Sequence, residues 1–293
     1  MKTILIVGAN GFIASQFKQQ FMHKYNFINL SHHPQFSHLT LEQLELQPEL
    51  LKTIDYVINL AGANIGDKRW SSSRKECLIQ SRIDTTRRLV ALLNRYQPQI
   101  YLLSASAVGI YQPDQENTEF NLIDYKNYAN FSQELTKQWE LEVQKYTGPY
   151  LIARFGVVLS ATGGAFPKML APFLKYVGGQ LGTGQQYFPW IALPDLLNIL
   201  ETRLLAQSCG VYNLVAPQLV TNQELCKQIS RLWQRPNWLK LPTWVIKLIF
   251  GQMGQELFLN SLIVKPQKLI DENYVFLYPE ISSCLQAIKS KQI

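Results

Sequence analysis

The feature that most constrains this chain lies at its start, where Ile4-Leu-Ile-Val7 runs straight into Gly8-Ala-Asn10-Gly11-Phe12-Ile13-Ala14. An unbroken apolar run of this length reads as a strand covered on both faces, as in a parallel sheet. The two glycines turn the chain tightly, and the apolar spacing that follows predicts a helix over residues 12–24. A helix that begins on a glycine turn presents unpaired N–H groups and the positive end of its dipole. Such a terminus holds a phosphate without a charged side chain. The spacing is G-x-x-G-x-x-A, and Ala14 supplies the small residue that lets helix and strand pack closely. A structural turn is the bland alternative. The position between an apolar strand and an amphipathic helix favours a dinucleotide turn, with Gly8, Asn10, Gly11, Phe12 and Ile13 toward the phosphates.

Further strands are expected at residues 27–30, 54–62, 99–103, 150–153 and 211–214, with a weaker one near 38–41. Helices are expected at 71–96, 130–146 and 195–205. This alternation predicts an α/β protein: a Rossmann-like doubly wound parallel sheet with helices on both faces. Residues 1–160 form the dinucleotide-binding domain on this reading, and about 190–220 return to it. Residues 161–189, with three glycine clusters, cover a pocket; 221–293 form a smaller, mostly helical C-terminal lobe.

The end of the second strand meets the adenosine ribose in such folds, and an acid there selects NAD. The chain has Ser31-His32-His33 and no acid, so NADP(H) is expected over NAD(H). The small residues of Leu60-Ala61-Gly62, at another strand end, let a cofactor approach the backbone. All four histidines (His23, His32, His33, His38) fall in this early region without a nearby cysteine or a shared face, so no metal is expected.

The net charge of +7 raises nucleic acid as a partner, but the cations are scattered or lie on the polar face of the 71–96 helix. A solvated helix face is the reading, with no nucleic acid partner expected. The four cysteines, Cys77, Cys209, Cys226 and Cys284, have neither metal nor redox spacing and suit buried apolar positions in a reducing compartment. The opening apolar run is cut at Gly8, too early for a signal peptide, and no run approaches the ~18 apolar residues of a membrane span. The expectation is a cytoplasmic protein, monomer or homodimer, with a small-molecule partner and no membrane.

Several stretches together carry a family resemblance. They are Asn59-Leu-Ala-Gly-Ala-Asn-Ile-Gly-Asp-Lys-Arg-Trp70, Ser81-Arg-Ile-Asp-Thr-Thr86, Ser104-Ala-Ser-Ala-Val-Gly109, Arg154-Phe-Gly-Val-Val-Leu159, Phe188-Pro-Trp-Ile191 and Gly210-Val-Tyr-Asn-Leu-Val-Ala-Pro217. Residues 241–288 resemble the small C-terminal domain of unknown function that marks one branch of the extended short-chain dehydrogenase/reductases. That branch is the epimerase-like group of NAD-dependent epimerase/dehydratase relatives. The resemblance implies a Rossmann fold and NADP binding, with Arg82, Ser104 and Arg154 beside the cofactor. It implies a substrate region near Arg69, Trp70, Gln186 and Trp190, where Arg69 clamps an anionic group.

In extended short-chain enzymes a serine and a tyrosine bind the reacting oxygen, and a lysine four residues after the tyrosine lowers its pKa. Ser106 matches the serine. No tyrosine in the chain has a lysine four residues later; Phe131 and Leu135 stand at those positions, and Lys137 fits poorly. Tyr111, Tyr125 and Tyr128 are candidates for a displaced acid, Tyr111 first among them. The family's Ile-His-x-Asp-Asp reads Ile191-Ala-Leu-Pro-Asp195, and its Gly-Glu-Met-Ala reads Gly251-Gln-Met-Gly254. Two functions follow: an oxidoreductase- or epimerase-like enzyme, or an NADP(H)-binding sensor or scaffold without turnover.

Overall fold

The computed structural model describes residues 1–32 and 39–293. The expectations for His33 and His38 fall outside the described residues, and at the expected 38–41 strand only a single bridge from Leu39 to Leu30 forms. The sheet strands are β1 (Lys2–Val7), β2 (Tyr25–Leu30), β3 (Tyr56–Asn59), β4 (Tyr101–Ala107), β5 (Tyr150–Phe155) and β6 (Gly210–Leu214). All pair in parallel, in the order β6-β5-β4-β3-β1-β2. The connections reverse direction at β1, so the crevice at the carboxyl ends of β1 and β3 is where such a sheet takes a ligand.

The helices are α1 (Phe12–Phe21), α2 (Ser72–Ile79), α3 (Thr85–Tyr96), α4 (Phe131–Gln144), α5 (Phe166–Leu174), α6 (Leu193–Leu205), α7 (Asn222–Trp233), α8 (Thr243–Phe250) and α9 (Ile281–Lys289), apart from shorter turns. Alternate strand residues divide between two cores. Ile4, Ile6, Ile58 and Leu103 meet Phe17 of α1 and Leu196 and Leu200 of α6. Leu5, Val7, Val57 and Leu102 meet Leu89 and Leu93 of α3 and Val143 of α4. The period of two in the strands thus puts helices on both faces.

The predicted 71–96 helix is α2 and α3 joined through one π-helical turn, Gln80–Asp84. Such a turn inserts a residue and redirects the side chains it carries, here including Arg82. Of the cysteines expected to be buried, Cys226 and Cys284 are, in the core shared by α5, α7 and α9, whereas Cys77 and Cys209 are exposed.

Two carboxylates tie the C-terminal segment to the sheet domain. Glu256 accepts from the N–H groups of Phe131 (3.3 Å) and Ser132 (2.8 Å) and from the Ser132 hydroxyl (2.7 Å), so it neutralises the N-terminus of α4. Asp195, buried at the start of α6, accepts from the N–H groups of Leu277 (2.7 Å) and Tyr278 (2.9 Å). Burial holds the Asp195 carboxyl above its ordinary range, although both N–H groups pull it down. Folding therefore favours the protonated form, and the contribution erodes as pH rises through the folded value. Relative to Asp195→Asn, the wild type is expected to lose stability as pH rises from about 4, the ordinary aspartate range, toward neutral. Urea midpoints of the two proteins at both pH values read this directly; parallel pH profiles would contradict it.

Candidate functional site

The candidate cofactor cradle is built from the carboxyl ends of β1, β2 and β3. Gly8 has φ +80°, a backbone conformation L side chains rarely adopt. A Cβ there would lie 2.7 Å from the carbonyl oxygen of Leu60 and 2.9 Å from Cα of Ala61. The turn is therefore pressed onto the end of β3, and Leu60 N–H donates to Val7 at 2.9 Å. The N–H groups of Gly8 and Ala9 both donate to Leu30, which binds the turn to β2 as well. Lys18 reaches back from α1 to the carbonyl of Ala9 (3.0 Å) and to Asn29 (2.9 Å). Gly11 caps α1 with backbone only, and among the described residues no side-chain cap serves the first N–H groups of that helix, at Phe12 and Ile13.

The rim continues around this turn. Asn10 donates to the Ser31 hydroxyl at 3.3 Å, and His32 lies 3.2 Å from the Thr85 hydroxyl at the start of α3. Gly62 faces Arg82: a Cβ on Gly62 would stand 3.0 Å from the guanidinium carbon. Arg82 donates to the Ala63 carbonyl at 2.9 Å and lies over the Trp139 ring at 5.4 Å. It forms no ion pair among the described residues. Burial, with the nearby Arg74 charge, brings its pKa down to about 10. A cation held in low dielectric with no carboxylate beside it among the described residues has its charge uncompensated by protein, which makes it a candidate contact for an anion. From above, the 161–164 loop closes on the turn, with Gly163 against the Phe12 ring.

A second polar assembly lies deeper. Ser106, Arg154 and Asn213 stand side by side across β4, β5 and β6. Glu140 of α4 comes down on this row. Arg154 forms a two-pronged pair with it, Nε to Oε1 at 2.8 Å and Nη2 to Oε2 at 2.7 Å. The Ser106 hydroxyl donates to Oε1 at 2.6 Å, and the Tyr125 hydroxyl donates to Oε2 at 2.8 Å. The remaining prong of Arg154 donates to the Tyr111 oxygen at 2.8 Å, and Tyr111 donates on to Asn213 (2.8 Å) or to the Thr118 carbonyl (3.0 Å). Glu140 is wholly buried and Arg154 is 2% exposed. Burial pulls the Arg154 pKa down, but the Glu140 carboxylate outweighs this and holds it above its ordinary value. Burial pushes the Tyr111 hydroxyl up, against the pull of Arg154.

Several of the expected site residues lie in the interior. Ser106, Tyr111 and Arg154 are engaged with Glu140 and one another, because an arginine in a buried strand must find its countercharge. Ser104 is likewise fully buried and accepts from Asn59 at 3.2 Å. Trp190 is 1% exposed, packs in the lobe core, and donates to the Gln218 carbonyl. Gln186 ties its loop to the tail by donating to the carbonyls of Leu181 and Phe258. Trp70 packs edge-on to Phe131 at 5.1 Å and donates to the Ile65 carbonyl. Arg69 is exposed and lies against Gly251.

The place of a catalytic tyrosine is apolar. Phe131 and Leu135 pack with Trp70, Leu78, Ala105 and Met253, and the Lys75 ammonium sits 4.9 Å above the Phe131 ring. Sequence reading missed Glu140. Its one signal was Arg154 inside an apolar strand, a position that demands an acid nearby. No cluster of metal-ligating side chains exists among the described residues.

An all-parallel doubly wound sheet with a glycine turn packed on a neighbouring strand end defines the class: an α/β protein with a Rossmann-like domain. The chain belongs to the NAD dependent epimerase/dehydratase family, whose model matches residues 4–214, and residues 241–288 match a domain of unknown function, DUF1731. It is 35% identical over 300 residues to an epimerase family protein of Staphylococcus saprophyticus, covering 98% of this chain and 99% of the relative. An epimerase family protein of Staphylococcus aureus is 31% identical over 306 residues, covering 99% of this chain and all of the relative. Among solved structures, the human epimerase family protein SDR39U1, crystallised with NADPH, superposes with a TM-score of 0.89 at 29% identity, covering 98% of this chain and 99% of that one. A nucleoside-diphosphate sugar epimerase from Corynebacterium glutamicum gives a TM-score of 0.78 at 26% identity, over 98% of this chain and 58% of that one. No helix among the described residues is long and apolar enough to cross a membrane.

Proposed function

We propose that this chain binds NADP(H) in the cradle between β1, β2 and β3 and works as an oxidoreductase- or epimerase-like protein on a small metabolite, without the Tyr-x-x-x-Lys pair. The observation that carries the cofactor assignment is Arg82, a partly buried cation without a countercharge among the described residues, set against Gly62 just past the end of β3 onto which the glycine turn packs. The side-chain-free cap of α1 fits a phosphate beside it. The end of β2 offers Ser31 and His32 and no carboxylate, which suits a 2′-phosphate better than a free ribose hydroxyl. The human relative crystallised with NADPH supports the same choice. NADP(H), when bound, supplies a hydride. The backbone N–H groups of Phe12 and Ile13 and the Arg82 guanidinium would hold its phosphates, and the exposed Arg69, beside Gly251, would attract an anionic substrate group.

Calorimetric titration tests this. NADPH is expected to bind at least about tenfold more tightly than NADH, and Arg82→Ala to weaken NADPH by about tenfold or more, the scale of one charge-assisted contact. Equal affinity for the two dinucleotides would defeat the NADP assignment. An Arg82→Ala protein with unchanged affinity would remove Arg82 from the site.

A second reading, a cofactor-bound sensor without turnover, is favoured by a separate observation. Phe131 and Leu135 lie in an apolar cluster, and Ser106 is engaged with Glu140, so the expected proton carriers are missing. Incubation of NADPH-loaded protein with aldehydes, ketones and sugar nucleotides separates the readings: sustained NADPH oxidation supports the enzyme, and its absence at full occupancy supports the sensor.

A further inference from the structure

The C-terminal lobe presents a surface that the cradle does not explain. Residues 160–194 contain no Asp or Glu, and neither do residues 225–255. These two stretches meet in space, because Gly179–Leu181 pairs in parallel with Leu239–Leu241. At the leading end of this short ribbon Tyr176, Val177 and Trp238 are exposed, Trp238 by 70%. At its trailing end the chain enters α8, where Trp244 and Leu248 are each 68% exposed. The ribbon is three residues long, about 10 Å, so the two groups flank one region of the lobe.

Cations accompany each apolar group. Lys175 adjoins Tyr176, Lys240 follows Trp238, and Lys247 lies between Trp244 and Leu248 on the outer side of α8. The Arg235 guanidinium stacks over the Tyr176 ring at 4.7 Å. None of these four forms an ion pair among the described residues. Large apolar side chains left in water beside unpaired cations mark an interaction surface, not a solvated face.

We propose that this face docks on the surface of an anionic phospholipid bilayer. Tryptophan and tyrosine settle at the boundary between headgroups and acyl chains, and lysine stems reach back to anionic headgroups. Val177 and Leu248 favour this occupant over a nucleic acid, because aliphatic side chains gain nothing from phosphates or base edges. The absence of carboxylates from both stretches matches the sign of the cytoplasmic leaflet. With no spanning helix among the described residues, the association is interfacial and reversible, a mode the expectation of no membrane partner did not weigh.

The test is vesicle flotation of the full chain loaded with NADPH. Binding is expected to vesicles of phosphatidylcholine mixed with phosphatidylglycerol, not to phosphatidylcholine alone, and to fall as salt rises. The pair Trp238→Ser/Trp244→Ser and, separately, the pair Lys240→Glu/Lys247→Glu are each expected to cut partitioning by about tenfold or more. Melting temperature and the NADPH-induced shift should stay unchanged. The lysine pair touches no packing, so it remains informative if the tryptophan pair folds poorly. Failure to float with anionic vesicles, equal binding to neutral ones, or unaltered flotation of the lysine pair overturns the proposal. So does preferential binding of duplex DNA, or a dimer in sedimentation that both variant pairs dissociate while vesicles leave the wild type unbound. NADPH affinity is read independently, so failure here leaves the cradle assignment standing.

Discussion

Glu140→Ala is expected to destabilise the protein by about 3–5 kcal/mol, the cost of leaving a buried guanidinium without its countercharge. The carboxylate accepts from Arg154, Ser106 and Tyr125, so its removal strands donors from β4, β5 and the 124–130 loop together. Glu140→Gln keeps the shape and part of the hydrogen bonding but not the charge, and should fall between wild type and alanine. The double variant Glu140→Met/Arg154→Met should recover much of the loss, because both desolvation costs go with the pair. Denaturant melts of the four proteins read the pattern. If Glu140→Ala falls within about 1 kcal/mol of wild type, the network does not hold the sheet to α4 as described.

Gly8→Val is expected to abolish cofactor-linked stabilisation. The side chain would require φ near +80° and would meet backbone atoms of Leu60 and Ala61 inside 3.0 Å. Neither can move without separating β1 from β3, so the turn itself must shift. Saturating NADPH at about a hundred times its Kd raises wild-type stability by about 2.7 kcal/mol through linkage. In the variant that increment should vanish. The comparison uses the difference between loaded and free protein, so a general loss of stability does not obscure it. A variant that keeps the full NADPH-induced increment would show that the turn does not hold the phosphates.

The fold and the cradle were legible because their causes are local. Gly8 and Gly11 follow a buried strand and open a helix within a dozen residues, and a short-range backbone constraint leaves a short-range signature. Strand periods, the acid-free end of β2 and the apolar faces of α3 and α6 belong to the same kind of information. The interior polar assembly was not legible. Ser106, Glu140, Arg154 and Asn213 come from four elements spread over more than a hundred residues. Only the register Ser106↔Arg154↔Asn213 sets them in a row under α4. The resemblance points Ser106 and Tyr111 to catalysis and Arg154 to the cofactor, but it carries no sign that Glu140 binds all three into one network. The burial of the Trp190 ring in the lobe core was equally unreadable from its glycine-rich surroundings.

By itself the sequence determined that this chain folds as a doubly wound parallel sheet around a glycine turn, with a second strand unable to select NAD through an acid, and that no tyrosine is followed four residues later by a lysine. Apolar periodicity and backbone freedom are properties of neighbouring residues and need no partner. The tertiary structure alone decided which polar groups meet ligand and which meet each other. A side chain's charge must be balanced wherever packing leaves it, and that partner is chosen by strand register and helix docking. Arg82 and Arg154 are both arginines near the sheet. One is paired in the interior and the other lies against Gly62 past the end of β3 with no countercharge among the described residues, and only the fold distinguishes them.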